Sequence, residues 1–154
     1  MTNVSGLARI VTFALDGQRY GLYLSAVDRV VRAVEITPLP KAPESVAGVL
    51  DFQGSVVPVF ALRRRFGLPD REPRLDDQLI LARTARRRVA LVVDSVGGVV
   101  ECAPGEMVRT ETVLPGTAYV EGVMKSPDGL ILIHDLDTFL SLDEERAIEV
   151  AMAS

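Results

Sequence analysis

The feature that most constrains this chain is an internal repeat. Val27-Asp28-Arg29-Val30 returns as Val93-Asp94-Ser95-Val96, each time after an apolar hairpin pattern. Gly48-Val49 returns as Gly122-Val123, Gln53-Gly54 as Asp128-Gly129, and Val57-Pro58-Val59 as the run from Leu130 to Ile133. Each copy closes on a short apolar stripe, Leu62 with Phe66 and Leu136 with Phe139. One such match is chance; the same order throughout points to duplication. Each copy carries short β-branched runs cut by glycine turns, the pattern of a small five-stranded barrel. Half of a 154-residue chain is marginal as an independent unit, so the two barrels should share an apolar seam. The expected fold is mostly β: one domain over 1–154, a first barrel over about 10–67 that chain from the other half may complete, and a second over about 77–140. A polar, proline-bearing stretch from Leu68 to Asp77 separates them.

Local signals fill in this outline. Arg9 to Leu15 reads as a strand with Ile10, Thr12 and Ala14 on one face and Val11, Phe13 and Leu15 on the other. Asp16-Gly17 turns it into a second strand, Tyr20 to Leu24. Ser25 and Asp28 mark a brief helix start before the chain extends again at Val30-Val31. The central hairpin runs through Gly48 to Phe60 about Gln53-Gly54, and Pro58 inside its second run predicts an edge or bent strand. Gly97-Gly98 predicts a bulge or a close backbone approach. Glu106 to Ala118 reads as irregular, and short helices are expected at Asp135 to Leu140 and at 143–152. In the last, Ala147, Ile148, Ala151 and Met152 form the packing stripe.

The chemistry on offer is sparse. His134 is the single histidine and follows an apolar strand, so it reads as a structural residue at a strand end. Cys102, alone, forms no internal disulfide and reads as a buried apolar residue, compatible with a reducing cytoplasm. Neither a Cys/His cluster nor a phosphate-binding glycine loop is present, so catalytic residues, metal and cofactor are all expected to be none. Asp135 and Asp137 read as helix caps, and Asp28 and Asp94, equivalent in the repeat, as local structural residues. Arg63–Arg65 and Arg86–Arg88 invite a nucleic-acid reading. A net charge of -4 and 5% aromatic residues weigh against it, and such runs are usually solvated faces. No apolar run approaches a membrane span, and Met1 to Gly6 does not read as a signal peptide. What remains is an interaction module, expected in the cytoplasm without direct membrane contact; exposed barrel edges make weak self-association an open option.

In order along the chain stand Phe13-x-Leu15-x-Gly17-x-x-Tyr20-Gly21, Val27, Leu39-Pro40-x-Ala42-Pro43, Gly48-Val49, Gly54-x-Val56-Val57-Pro58-Val59, Leu62-Arg63 and Val92-Val93-Asp94-x-Val96. Together these resemble the CheW family, the coupling proteins of bacterial chemosensory arrays. The resemblance implies two SH3-like five-stranded barrels and a non-catalytic adaptor between chemoreceptors and the regulatory domain of a CheA-type histidine kinase. It implies that the receptor tip, a helical hairpin, lies between the barrels. By position it implies Val27 as a groove residue, Val56, Val57 and Pro58 near the groove and the kinase edge, and Val93, Val96 and Val99 in the second barrel. The chain departs from the family's usual Asn-Leu-Arg-Gly, which is Asp51-Phe52-Gln53-Gly54 here, from a common Glu at Arg29, and from an Asp at Ala61. The expected partner-binding set is therefore Val27, Arg29, Gln53, Gly54, Val56, Val57, Pro58, Ala61, Val96 and Val99. The competing expectations are a CheW-fold regulatory scaffold outside motility and a nucleic-acid-binding barrel using the arginine triplets.

Overall fold

The computed structural model describes residues 7–32, 36–44, 46–69, 74, 76–109, 120–136, 148–149 and 151–152. The chain opens with strands β1 (Ala8–Leu15) and β2 (Gln18–Tyr23), passes a 3-10 turn at Leu24–Ala26, and enters β3 (Val27–Arg32). The central hairpin is β4 (Val46–Phe52) and β5 (Ser55–Ala61), followed by one turn of helix, α1 (Leu62–Arg65). Then come β6 (Gln78–Arg83), β7 (Arg88–Val93), β8 (Ser95–Cys102), β9 (Met107–Arg109), β10 (Val120–Ser126) and β11 (Gly129–His134).

These strands form two sheets, in the orders β8-β1-β2-β11-β10-β9 and β3-β6-β7-β5-β4. The second order becomes the first, short of β9, when β1–β5 are exchanged for β6, β7, β8, β10 and β11. The duplication is thus visible in the topology, but the halves have traded hairpins. β1 and β2 sit with β8, β10 and β11, and β6 and β7 sit with β3, β4 and β5. Each sheet therefore takes strands from both sides of the 67–77 stretch. Each sheet is joined internally by a parallel pairing across the halves, β2 with β11 and β7 with β5.

The registers match pair for pair. Asp51 faces Val56 as Lys125 faces Leu130, and Val46 faces Phe60 as Val120 faces His134. Both hairpins slip by one residue just before Gly48 and Gly122. At the crossing strands Val27 faces Ala82 as Val96 faces Phe13, with Asp28 and Gly97 as the bulged residues. This corrects the expected alignment: Val27 corresponds to Val96 rather than Val93, Asp28 and Asp94 are not equivalent, and Gln53-Gly54 corresponds to Pro127-Asp128 rather than Asp128-Gly129. The bulge expected at Gly97-Gly98 is present, and a side chain at Gly97 would lie 2.7 Å from Thr12 Oγ1.

Strand alternation sorts the core into three parts. Leu50, Val57, Val59, Leu79, Leu81 and Ala90 fill the barrel of the sheet β3-β6-β7-β5-β4, from here on the second barrel, and Ile10, Cys102, Met124, Ile131 and Ile133 fill that of the sheet carrying β8, β10 and β11, from here on the first. The opposite faces meet in the expected seam, where Phe13, Leu15, Tyr20 and Leu22 pack with Phe60, Ile80, Ala82, Leu91 and Val93. β6 and β7 are buried on both faces, which is why they read as nearly continuous apolar runs. Tyr20 stacks on Phe13 and Phe66, with ring centres 5.6 and 5.1 Å apart, and Phe66 stacks on His134 at 5.0 Å. His134, 4% exposed and equivalent to Phe60, belongs to this aromatic layer.

Two local expectations are corrected. Pro58 lies in an interior strand, between β4 and β7. It opposes Val49, whose N–H and C=O both bond Thr37 at 2.8 Å, and the ladder to β7 begins only at Val59. No ladder partner therefore waits for the amide hydrogen that proline lacks. Glu106 to Ala118 contains a strand, β9, which pairs with β10 as Thr37 bridges Val49 in the other half; its three residues are too few to leave a periodic signal. The helix expected over Asp135 to Leu140 lies largely outside the described residues. So does most of 143–152, where Ile148, Glu149, Ala151 and Met152 are helical. Ile148 is buried in the seam cluster and Met152 packs against it.

Candidate functional site: a two-barrel interaction surface

The expected partner residues fall into two groups joined by β3. The first comprises valines on the crossing strands. Val27 and Val96 are half-buried against the seam. Val30 faces Ile80 and Val99 faces Val11, so both point to the seam side of their sheets. Val30 is 36% and Val99 54% exposed. The same apolar pair thus occurs at equivalent positions on β3 and β8. Val30 was missed by position-wise carry-over; the repeat, taken in its structural register, reveals it.

The second group surrounds the β4–β5 turn. Gln53 and Gly54 both have positive φ, 53° and 86°, which is the two-residue turn that suits twisted strands. Asp51 Oδ1 accepts the Gly54 N–H at 2.9 Å and fixes the turn. Gln53, Gly54 and Val56 are exposed. Arg29, also exposed, lies with its guanidinium 5.3 Å from the Phe52 ring centre, and Arg88 approaches the same ring at 5.9 Å. Since β3 and β4 are the two edges of their sheet, this contact marks where the barrel closes. Asp28, on the bulge, takes Arg88 at 3.0 Å and Arg83 at 3.7 Å.

Three expected residues stand apart. Val57 is 1% exposed and packs inside the second barrel, so its side chain is withheld from any partner. Pro58 is buried. Ala61 is half-buried where β5 passes into α1, at the far end of the strand from the turn.

Of the triplet arginines, Arg63, Arg87 and Arg88 make ion pairs. Arg63 makes two bonds to the Asp94 carboxylate, at 3.0 and 2.8 Å, pairs with Asp16 at 2.7 Å, and donates to the Pro69 carbonyl at 3.0 Å. Its hydrogen bonds to these carboxylates outweigh burial and raise its pKa, so it stays charged. Asp94 also accepts the Asp16 N–H at 3.0 Å, and its own N–H reaches Ala14. One cation therefore ties α1, the β1–β2 turn and the β7–β8 crossing together. Arg87 pairs with Glu149 at 3.3 Å. Among the described residues no group of three or more His, Cys, Asp or Glu side chains gathers in metal-binding geometry, and no helix is long and apolar enough to cross a membrane.

Two reciprocally completed β-barrels on one seam, with apolar residues left half-exposed on both crossing strands, define a protein-binding scaffold. The family model described as CheW-like domain matches residues 9–144. The chain belongs to the CheW-like family. It is 25% identical over 154 residues to the chemotaxis protein CheW of Rhizobium meliloti, covering 96% of this chain and 99% of that protein. It is 27% identical over 131 residues to the chemotaxis protein CheW of Thermotoga maritima, covering 85% and 86%. The crystal structure of scaffolding protein TtCheW from Thermoanaerobacter tengcongensis is similar, with a TM-score of 0.82, 31% identity, and coverage of 89% of this chain and 94% of that one.

Proposed function

We propose that this chain is a cytoplasmic, non-catalytic chemotaxis adaptor that couples chemoreceptors to a CheA-type histidine kinase. The observation that carries the reading is the repeated, half-exposed valine pair, Val30 with Val27 and Val99 with Val96, on two crossing strands that flank a common seam. An apolar strip of this kind fits the apolar face of a receptor helix. The exposed turn with Gln53, Gly54 and Val56 lies at the tip of the β4–β5 hairpin and suits a contact with the kinase's regulatory domain. Family membership and the named chemotaxis relatives support the same reading.

The test is calorimetric titration of the purified protein with the receptor tips and the kinase regulatory domain encoded in the same genome. Binding with a Kd of about 1–10 μM is expected. Val99→Asp should weaken the receptor tip at least about tenfold, because it places an unpaired charge in an apolar contact, and should leave the melting temperature near that of the parent. Absence of binding to every tip and kinase domain would refute the adaptor reading.

A further inference from the structure

The lower end of the second barrel is basic on an acidic chain. Arg29, Arg83, Arg86 and Arg88 gather about the β3 bulge and the β6–β7 turn, against Asp28 and Asp51, whereas the whole protein carries -4. The arginines are not equivalent. Asp28 is committed to Arg88 and Arg83. Asp51 is committed to the Gly54 N–H. Among the described residues no carboxylate pairs with Arg29, whose side chain instead lies over Phe52. Arg29 is exposed, so a partner can reach a guanidinium that the ring attracts. Next to it stands the exposed Gln53-Gly54 turn. An exposed cation over a ring, with no carboxylate of its own, is complementary to a segment that carries a carboxylate.

We propose that the Arg29–Phe52 end of the second barrel selects, among protein partners, those that present an Asp or Glu side chain to Arg29. This rests on the adaptor reading and deepens it, by naming the chemistry that separates this chain's partner from others of the same shape. Arg29 supplies the planar two-donor fork that matches a carboxylate, and Phe52 holds the fork in place. The occupant is a protein segment rather than a polyanion, because Asp28 sits among the arginines and offsets their charge, and the chain as a whole is acidic.

The experiment uses the full chain with the receptor tips and kinase domain of its own genome, titrated at two salt concentrations. Arg29→Glu should weaken one of these partners about tenfold or more, Arg29→Ala about threefold, and Arg29→Lys should recover only part of the loss. A scan of the partner's acidic residues to Lys should find one whose reversal restores binding to the Arg29→Glu variant. Phe52→Leu should weaken binding without removing the salt dependence. If the parent binds and Arg29→Glu binds equally well, the proposal falls and the adaptor reading stands. If the parent binds no tip or kinase domain, both fall. If heparin or duplex DNA binds more tightly than the protein partners and with the same dependence on Arg29, the patch is a polyanion site and the proposal is overturned.

Discussion

Removing the cation at residue 63 tests whether the two halves are locked where they exchange hairpins. Arg63 is 13% exposed, against 26% for Asp94 and 37% for Asp16. Arg63→Met keeps the aliphatic stem, so the loss is electrostatic rather than a packing defect. Breaking a fully buried pair costs about 3–5 kcal/mol and an exposed one about 0–1 kcal/mol. The intermediate burial here, with two carboxylates left facing one another, places the cost at about 2–3 kcal/mol. For a chain of this size that corresponds to a melting temperature lower by about 8 °C, read by circular dichroism at neutral pH. A double-mutant cycle with Asp94→Asn isolates the pair, and a coupling of about 1–2 kcal/mol is expected. A melting temperature within about 1 °C of the parent, or a coupling near zero, would show that the geometry is present without being a lock.

Three further outcomes follow from the same structure. Val57→Asp should abolish folding, since it buries an unpaired charge at a cost above about 4 kcal/mol, whereas Val56→Asp should melt within about 2 °C of the parent; equal effects would refute the assigned alternation. Gly48→Ala should cost about 2–4 kcal/mol in urea unfolding, because the added methyl collides with the Thr37 carbonyl that bonds Val49. Tyr20 is pushed up in pKa by burial and then by Asp16, so the folded state holds its proton where the unfolded chain releases it; its contribution is complete below about pH 10 and is lost as pH rises through the folded value. Tyr20→Phe should flatten that alkaline decline, and an unchanged slope would count against it.

What the sequence made legible was local. Asp16-Gly17 and Gln53-Gly54 announce their turns because both central residues must accept positive φ, and few dipeptides do. The trade of hairpins was not legible, because the pairing of Leu132 with Tyr20 and of Phe60 with Leu91 joins segments whose patterns are satisfied equally well within their own half. Pro58 misled for a related reason: its tolerance depends on Thr37 having drawn off both polar groups of Val49. At the candidate site the alternation of β5 was visible, but its phase was not. Val56 and Val57 exchange roles on a one-residue slip, and only the position of the shared seam decides which is outside. A three-residue misalignment of the repeat at Val27 hid Val30 in the same way.

The corrected register separates what the two halves kept from what they let go. At equivalent positions the apolar residues agree: Val27 and Val96, Val30 and Val99, Val31 and Val100, Val56 and Leu130, Val57 and Ile131. The polar and charged ones do not. Arg29 answers to Gly98, Asp51 to Lys125, and the Gln53-Gly54 turn to Pro127-Asp128. Folding explains the first set only in part, since Val30, Val99, Val56 and Leu130 are exposed and stabilise no core. Their agreement preserves a shape on both barrels, one suited to apolar contact. Their surroundings differ in charge, so two barrels of one shape offer two different electrostatic faces. Apolar area supplies affinity with little discrimination, and charge placement supplies discrimination with little affinity. An adaptor that must hold two dissimilar partners at once, without exchanging one for the other, needs this division between a common apolar frame and unlike polar rims.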